Sequence, residues 1–396
     1  MARRFFLTHF LLTLSSWFCI VDLSLAETYS VSPKSGLSRS VAALKPGDIL
    51  HLSDGTYSEP VKFTVSGTKE APIIIEGSEK VMIDGKHLGP YTPVFQTNGQ
   101  NYLQFKNLNF VGVRAGVQID GGSHHVLVDG LRADQCQFAV KMTDASFVTI
   151  KNAYADNSRN AFRGEGDTHH ITFENIEAYH SKDIHKNRDL NYFNGDGFIF
   201  EDNTHDLVFK NIKTGGHWDA GLDIKGSRVR LENIISFGNK NGLKLWGKDI
   251  EMSNALIYGC KAQMRPDGTR VDGWGINVRQ GSVKIANATI VDNEAGNIKA
   301  RDGSSAKISN SILAQRVAGR KLVEKFGNWT YDNIIWYHAA EQQPEWLKAS
   351  EKHLWTDPRF MDWEKGDYRL KDDNPGFKTQ KDNLIDRVGF LGQLSE

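Results

Sequence analysis

Cysteine is nearly missing from this chain: there are three in 396 residues, at positions 19, 136 and 260. So few thiols in so large a protein do not make a disulfide framework. Net charge is missing as well, because Lys plus Arg and Asp plus Glu each number 48. Overall charge therefore gives no argument for nucleic acid or for a membrane surface, and a polyanion site must be a local patch. After the first two dozen residues no segment is apolar enough to span a bilayer.

The one long apolar stretch is N-terminal. Arg3 and Arg4 precede a mostly apolar run from Phe5 to Ile20, and Ser24-Leu25-Ala26 places small residues at the cleavage-determining positions. Residues 1–26 read as a secretory signal peptide, which implies a secreted or periplasmic protein with no membrane span after cleavage. Cys19 leaves with it, and the mature chain keeps Cys136 and Cys260.

The sequence does contain a repeat. An apolar residue, any residue and Asn, usually followed by an apolar or small residue, recur as Phe105-Lys106-Asn107-Leu108, Ile150-Lys151-Asn152-Ala153 and Phe173-Glu174-Asn175-Ile176. The same motif places Asn211, Asn233, Asn254, Asn287 and Asn310, with Gly130 in the Asn position of one copy. Steps of 21 to 23 residues separate most anchors, such as 152 to 175 or 233 to 254, and two are longer: 175 to 211 and 254 to 287. A period near 22 with alternating apolar residues is one turn of a β-solenoid; a helical repeat needs a 3.6-residue rhythm and longer units. Asn at one corner of every coil bonds the Asn above and below and tolerates left-handed backbone. The expected fold is all-β: a right-handed parallel β-helix over 27–321, with a short N-terminal cap and an irregular C-terminal segment, 322–396, packed on it. Open strand edges at the ends require such caps.

Each coil carries a second pattern, small-apolar-polar-apolar, as in Gly221-Leu222-Asp223-Ile224 and Gly242-Leu243-Lys244-Leu245. Strand side chains alternate faces, so the third members line up as an exposed column: Gln118, Lys141, Arg163, Ile199, Asp223, Lys244 and Asn277. A parallel column two residues on holds Glu201, Lys225, Trp246 and Arg279. Asp196 and Asp219 enter in the preceding turns. Both long steps fall in the turn before this strand, near Ser181–Asn194 and Lys261–Val271. They bracket the Asp-rich coils with basic residues, Lys182, His185, Lys186 and Arg188 on one side and Lys261, Arg265 and Arg270 on the other. A groove with basic walls suits an extended acidic sugar chain. The pairs His124-His125 and His169-His170 occupy equivalent turns two coils apart and read as solvated turn residues.

Asn194-Gly195-Asp196-Gly197-Phe198, Trp218-Asp219-Ala220-Gly221-Leu222-Asp223 and Asn241-Gly242-Leu243-Lys244-Leu245 together resemble the core of the family 9 polysaccharide lyases. That family includes calcium-dependent pectate lyases on a right-handed β-helix, and the likeness is specific over about 50 residues. It implies Asp196, Asp219 and Asp223 as Ca2+ ligands and Lys244 as the catalytic base. Lys141, Arg163, Trp246 and Arg279 are the candidate substrate contacts. The chain departs from the pattern at Ala220, where the family has the second of two adjacent Asp; this removes one ligand and one negative charge. The expected activity is β-elimination on a uronic-acid-containing polysaccharide by a monomeric enzyme. Lys takes a proton only when neutral, and carboxylates alone favour its ammonium, so a cation must offset them. The competing readings are a glycoside hydrolase with paired carboxylates and a non-catalytic carbohydrate-binding β-helix; a uronan epimerase is a further option.

Overall fold

The computed structural model describes residues 26–182, 195–264, 268–301, 303–324, 328–344 and 353–374. The leader sequence, and His185, Lys186, Arg188 and Arg265 of the two insertions, lie outside the described residues.

The alternation seen in the sequence becomes strands with one face buried. Along Ser146–Asp156, Val148, Ile150, Ala153 and Ala155 point inward. Neighbouring coils stack these positions in parallel register: Val148 lies beside Ile171, Ile171 beside Leu207, Leu207 beside Val229 and Val229 beside Ile250. Aromatic residues stack the same way, and the rings of Phe173 and Phe209 lie 5.1 Å apart and nearly parallel. The result is an eighteen-stranded sheet and an eleven-stranded sheet around one continuous apolar core, a right-handed parallel β-helix.

The Asn corner works as its chemistry requires. Asn107, Asn152, Asn175, Asn211, Asn233, Asn254, Asn287, Asn310 and Asn333 all have φ between 47° and 57°. Asn175 donates to Asn152, Asn211 to Asn175, Asn233 to Asn211 and Asn254 to Asn233, at 2.6–3.1 Å. From Asn152 to Asn333 each such Asn bends one strand of nine to eleven residues into two arms, whereas Asn107 separates the short strands Leu103–Lys106 and Asn109–Val111. Gly130 keeps the left-handed backbone, with φ 74°, but breaks the chain of amides, and Asn152 turns to Asp129 Oδ1 instead.

Parallel stacking runs on past residue 321. Strand Asn328–His338 pairs with Ser305–Gln315, Asn333 donates to Asn310 at 2.8 Å, and His353–Trp355 adds one more strand. At the other end the six-residue helix Leu37–Ala42 buries Leu37 and Val41 against the first coils. The chain then returns along the flank of the solenoid. Phe360 and Tyr368, from the antiparallel pair Phe360–Asp362 and Asp367–Leu370, pack on Leu256, Val291, Ile312 and Ile335. Cys136 and Cys260 are both free and buried.

Candidate functional site

Four strands of the eleven-stranded sheet build the site: Phe198–Phe200, Ala220–Ile224, Asn241–Leu245 and Trp274–Val278. Their inward residues, Phe198, Leu222, Leu243 and Ile276, stack in register and lock the strands to the core. The small residue at each strand start is needed for close approach. A Cβ on Gly242 would stand 2.4 Å from the Gly275 carbonyl oxygen and 2.6 Å from Ile257.

The outward residues form the expected column: Gln118, Lys141, Arg163, Ile199, Asp223, Lys244 and Asn277 are successive register partners. The expectation of exposure needs correction. Lys244 is 8 % exposed, Asp223 4 % and Asn277 2 %. Their neighbours in the second column lean over them: the Lys244 ammonium lies 5.7 Å from the Trp246 ring, and the Lys225 ammonium 3.6 Å from Asp223.

Lys244 Nζ donates to Asp219 Oδ2 at 2.6 Å and to Asp223 Oδ2 at 3.5 Å. Burial alone would lower its pKa, but the charges of Asp219, Asp223 and Asp196 outweigh burial and push it above the ordinary lysine value. Asp196 is buried, and its Oδ1 accepts the Ala220 amide at 2.9 Å. Burial and the Asp219 charge raise its pKa well above the carboxylate range. Burial also raises Asp223, against the pull of Lys244 and Lys225.

Sequence reasoning missed Lys240. It is as buried as Lys244, and its ammonium lies 3.1 Å from Asp219 Oδ1 and 3.6 Å from Asp272 Oδ2. The only signal in the sequence is its position one coil after Asp219, which a count along the repeat reaches but residue type does not single out.

Unpaired buried polar atoms gather here. Asp196 Oδ2, Asp219 Oδ1, Asp223 Oδ1, Asn277 Oδ1, Trp246 Nε1, Asn160 Nδ2 and both side-chain polar atoms of Asn241 have no hydrogen-bond partner among the described residues, although Asp219 Oδ1 lies within ion-pair distance of Lys240, at 3.1 Å. Buried polar groups are normally satisfied, so such a concentration on adjacent coils singles out these coils as the candidate site. A surface concavity lies elsewhere, along Phe147, His170, Asp206 and Arg228. None of its lining side chains carries an unpaired buried polar atom, in contrast to the Lys244 coils.

Three carboxylate oxygens without a hydrogen-bond partner, one each on Asp196, Asp219 and Asp223, suit a hard cation in kind, but the ammonium groups of this chain already stand among them. Among the described residues no three His, Cys, Asp or Glu side chains are placed to hold one metal ion. Asp219 is taken by two ammonium groups, and Ala220 supplies no oxygen. The three carboxylates that the sequence assigns to calcium act together on the Lys244 ammonium, with Asp219 and Asp223 at 2.6 and 3.5 Å from it.

The candidate substrate contacts divide. Lys141 pairs with Glu165 at 2.6 Å, and Arg163 pairs with Glu165 at 2.8 Å and Glu201 at 3.0 Å, so both are already charge-compensated. Arg279 is exposed and has no carboxylate partner among the described residues. Its guanidinium lies 5.3 Å from the Trp246 ring centre, and the Lys225 and Lys244 ammonium groups lie 5.6 and 5.7 Å from the same centre. The second insertion does form a wall. Gln263–Met264 pairs with Arg270–Val271, and Gln263 reaches back to donate to the Trp218 carbonyl at 2.9 Å. Arg270 of that wall is paired with Glu294. The two His pairs stand at the opposite corner, with the ring of Phe147 stacked between His125 and His170.

No protein-family model and no curated protein matches this chain. Solved structures do. Pectate lyase Pel9A aligns over 95 % of this chain and 91 % of its own, at 16 % identity and a TM-score of 0.52. A rhamnogalacturonan lyase aligns over 88 % and 96 %, at 15 % identity and 0.57. XylC, in complex with xylose, aligns over 84 % and 87 %, at 9 % identity and 0.60. At these identities the likeness is one of fold.

Proposed function

We propose that this chain is an exported lyase that cleaves a uronic-acid-containing polysaccharide by β-elimination, with Lys244 as the group that takes the proton. The observation that carries the reading is the Lys244 coil itself: a buried lysine on a strand face, held by Asp219 and Asp223, amid unsatisfied polar atoms and beside the free cation Arg279. Pectate lyase Pel9A and the rhamnogalacturonan lyase, by their names, do this class of chemistry on the same fold. XylC binds xylose on it, so fold alone does not choose an acidic sugar; Arg279, over Trp246 and without a carboxylate partner among the described residues, supports that choice.

The chemistry follows from the charges. A base removes the proton on the carbon next to the uronate carboxylate. The electron pair forms a carbon–carbon double bond, the bond to the O4-linked sugar breaks, and the departing oxygen takes up a proton. Negative charge builds on the uronate carboxylate during this step, and a preorganised cation beside it lowers the barrier. Arg279 is the cation free to do so. Lys244 starts as an ammonium, because two carboxylates hold it so, and it must shed a proton before it acts. Asp219 Oδ2, at 2.6 Å, is the nearest acceptor.

The test is a panel of acidic polysaccharides, with and without chelator, read by the ultraviolet absorbance of the unsaturated product. At least one substrate should yield that product with the wild type and almost none with Lys244→Arg, since a guanidinium keeps the charge but does not deprotonate near neutral pH. New reducing ends without ultraviolet absorbance would instead indicate a hydrolase, and binding without either product a carbohydrate-binding protein.

A further inference from the structure

Lys240 stands directly after Asp219 in the stack. The Asn241 amide donates to the Asp219 carbonyl at 3.0 Å, and Ala220 is the register partner of Asn241. Both oxygens of the Asp219 carboxylate therefore face ammonium groups of this chain, Oδ1 with Lys240 at 3.1 Å and Oδ2 with Lys244 at 2.6 Å. The side chains of Lys240 and Asp219 are only 8 % and 10 % exposed, so the pair is not weakened as a surface pair is. On the far side Lys240 reaches Asp272, at the root of the second insertion.

We propose that Lys240 is the resident cation of this site, that it does for Asp219 what a calcium ion would otherwise do, and that the protein handles its acidic substrate without a metal. Three observations meet in this reading. Asp219, the central carboxylate, is already neutralised from both sides. Among the described residues no three carboxylates are placed to hold one metal ion, and the three nearest, Asp196, Asp219 and Asp223, act on Lys244 instead. The position that would complete such a cage is occupied by Ala220, which is fully buried and offers no oxygen. The charge also balances: an ammonium beside an alanine and a divalent ion beside an aspartate each sum to plus one. Calcium wants six to eight oxygens. To reach Asp219 it would have to displace two buried ammonium groups, and stranding a buried charge is costly. A lysine held by the neighbouring coil needs no binding step. Lys240 acts through Asp219, which in turn orients Lys244, so it is a positioning residue.

The inference rests on the lyase reading for its substrate, but its decisive test does not need a substrate. Calcium itself is the probe, by calorimetric titration and by thermal unfolding of the full mature chain with calcium or chelator. Wild type, Lys240→Arg and Ala220→Asp should show no binding heat and no shift of Tm. Lys240→Met bares Asp219 Oδ1, and it should unfold at lower temperature and be rescued by calcium. The double variant Lys240→Met, Ala220→Asp should bind calcium at least about tenfold more tightly than wild type. Wild type binding calcium as tightly as the double variant would overturn the proposal. So would tight binding by Ala220→Asp alone, because Lys240 is still in place there; that comparison decides the matter even if Lys240→Met does not fold. Loss of wild-type activity in chelator would also overturn it. Absence of any unsaturated product would sink the lyase reading and leave the calcium result standing.

Discussion

Lys244 joins chemistry and stability in one side chain. Its pKa lies above the ordinary lysine value, so its neutral fraction is small at neutral pH and grows about tenfold per pH unit. The rate of elimination should therefore climb steadily into the alkaline range; a plateau at neutral pH would remove Lys244 from the base role. Because the residue is buried, Lys244→Ala should also cost stability, about 3–5 kcal/mol for a broken buried ion pair, whereas Lys244→Arg should cost less. His217 offers a second test. The Ser181 amide must donate to Nδ1, at 2.9 Å, so the ring proton sits on Nε2, beside the Ala178 carbonyl and Thr214. Burial lowers its pKa to about 3. The folded state holds a neutral ring where the unfolded chain would accept a proton. Its contribution is therefore whole above about pH 6.5 and is lost as pH falls toward 3, at about 1.4 kcal/mol per unit. Denaturation at several pH values should show a shallower acid slope for His217→Gln than for wild type, and equal slopes would refute the assignment.

Among the elements, the bent strand is the unit that matters. Asn233 holds φ 56°, donates to Asn211 and accepts from Asn254. Ala at that position bears the left-handed penalty of about 1–2 kcal/mol and loses two hydrogen bonds of about 1 kcal/mol each. Gly loses only the bonds. Chemical denaturation should therefore rank wild type above Asn233→Gly and Asn233→Gly above Asn233→Ala, and the reverse order of the two variants would mean that the corner is not strained. The native Gly130 shows that a coil survives without the amide while it keeps the left-handed backbone angle. This ladder was legible in the sequence as far as Asn310, because one residue type serves one corner at one period; Asn333 extends it past the last counted repeat, and Asn287 Oδ1 has no partner among the described residues. The short strands were legible too, as sets of small, apolar, polar and apolar residues. Their burial was not, because cover comes from long side chains two residues away on neighbouring coils, and from a hairpin that folds back from the next one.

For the whole molecule, the stacking distance governs what can meet. Cys136 and Cys260 follow their corner positions, 130 and 254, by the same number of residues, five coils apart, or about 24 Å at ~4.8 Å per coil. A disulfide needs Cα atoms within about 7 Å, and both thiols are free. Burial raises the Cys136 pKa to about 12 and pushes Cys260 up as well. A thiol reagent should label neither in the folded mature protein and both after denaturation; rapid labelling of the native state would contradict the burial.

The same geometry divides what the chain encodes locally from what it does not. Period, alternation and the Asn corner are properties of single coils, and from them the parallel β-helix and the columns of Asp223, Lys244 and Trp246 follow without further information. Charge compensation is not local. Whether Asp219 faces a metal or Lys240, and whether Arg163 is free or held by Glu165 and Glu201, depends on which side chains share one patch after coils from residues 165 to 279 are stacked. A pattern of residue types names the participants on each coil; only the ~4.8 Å stacking of coils, with burial stripping water from their ammonium and carboxylate groups, decides which of them pair.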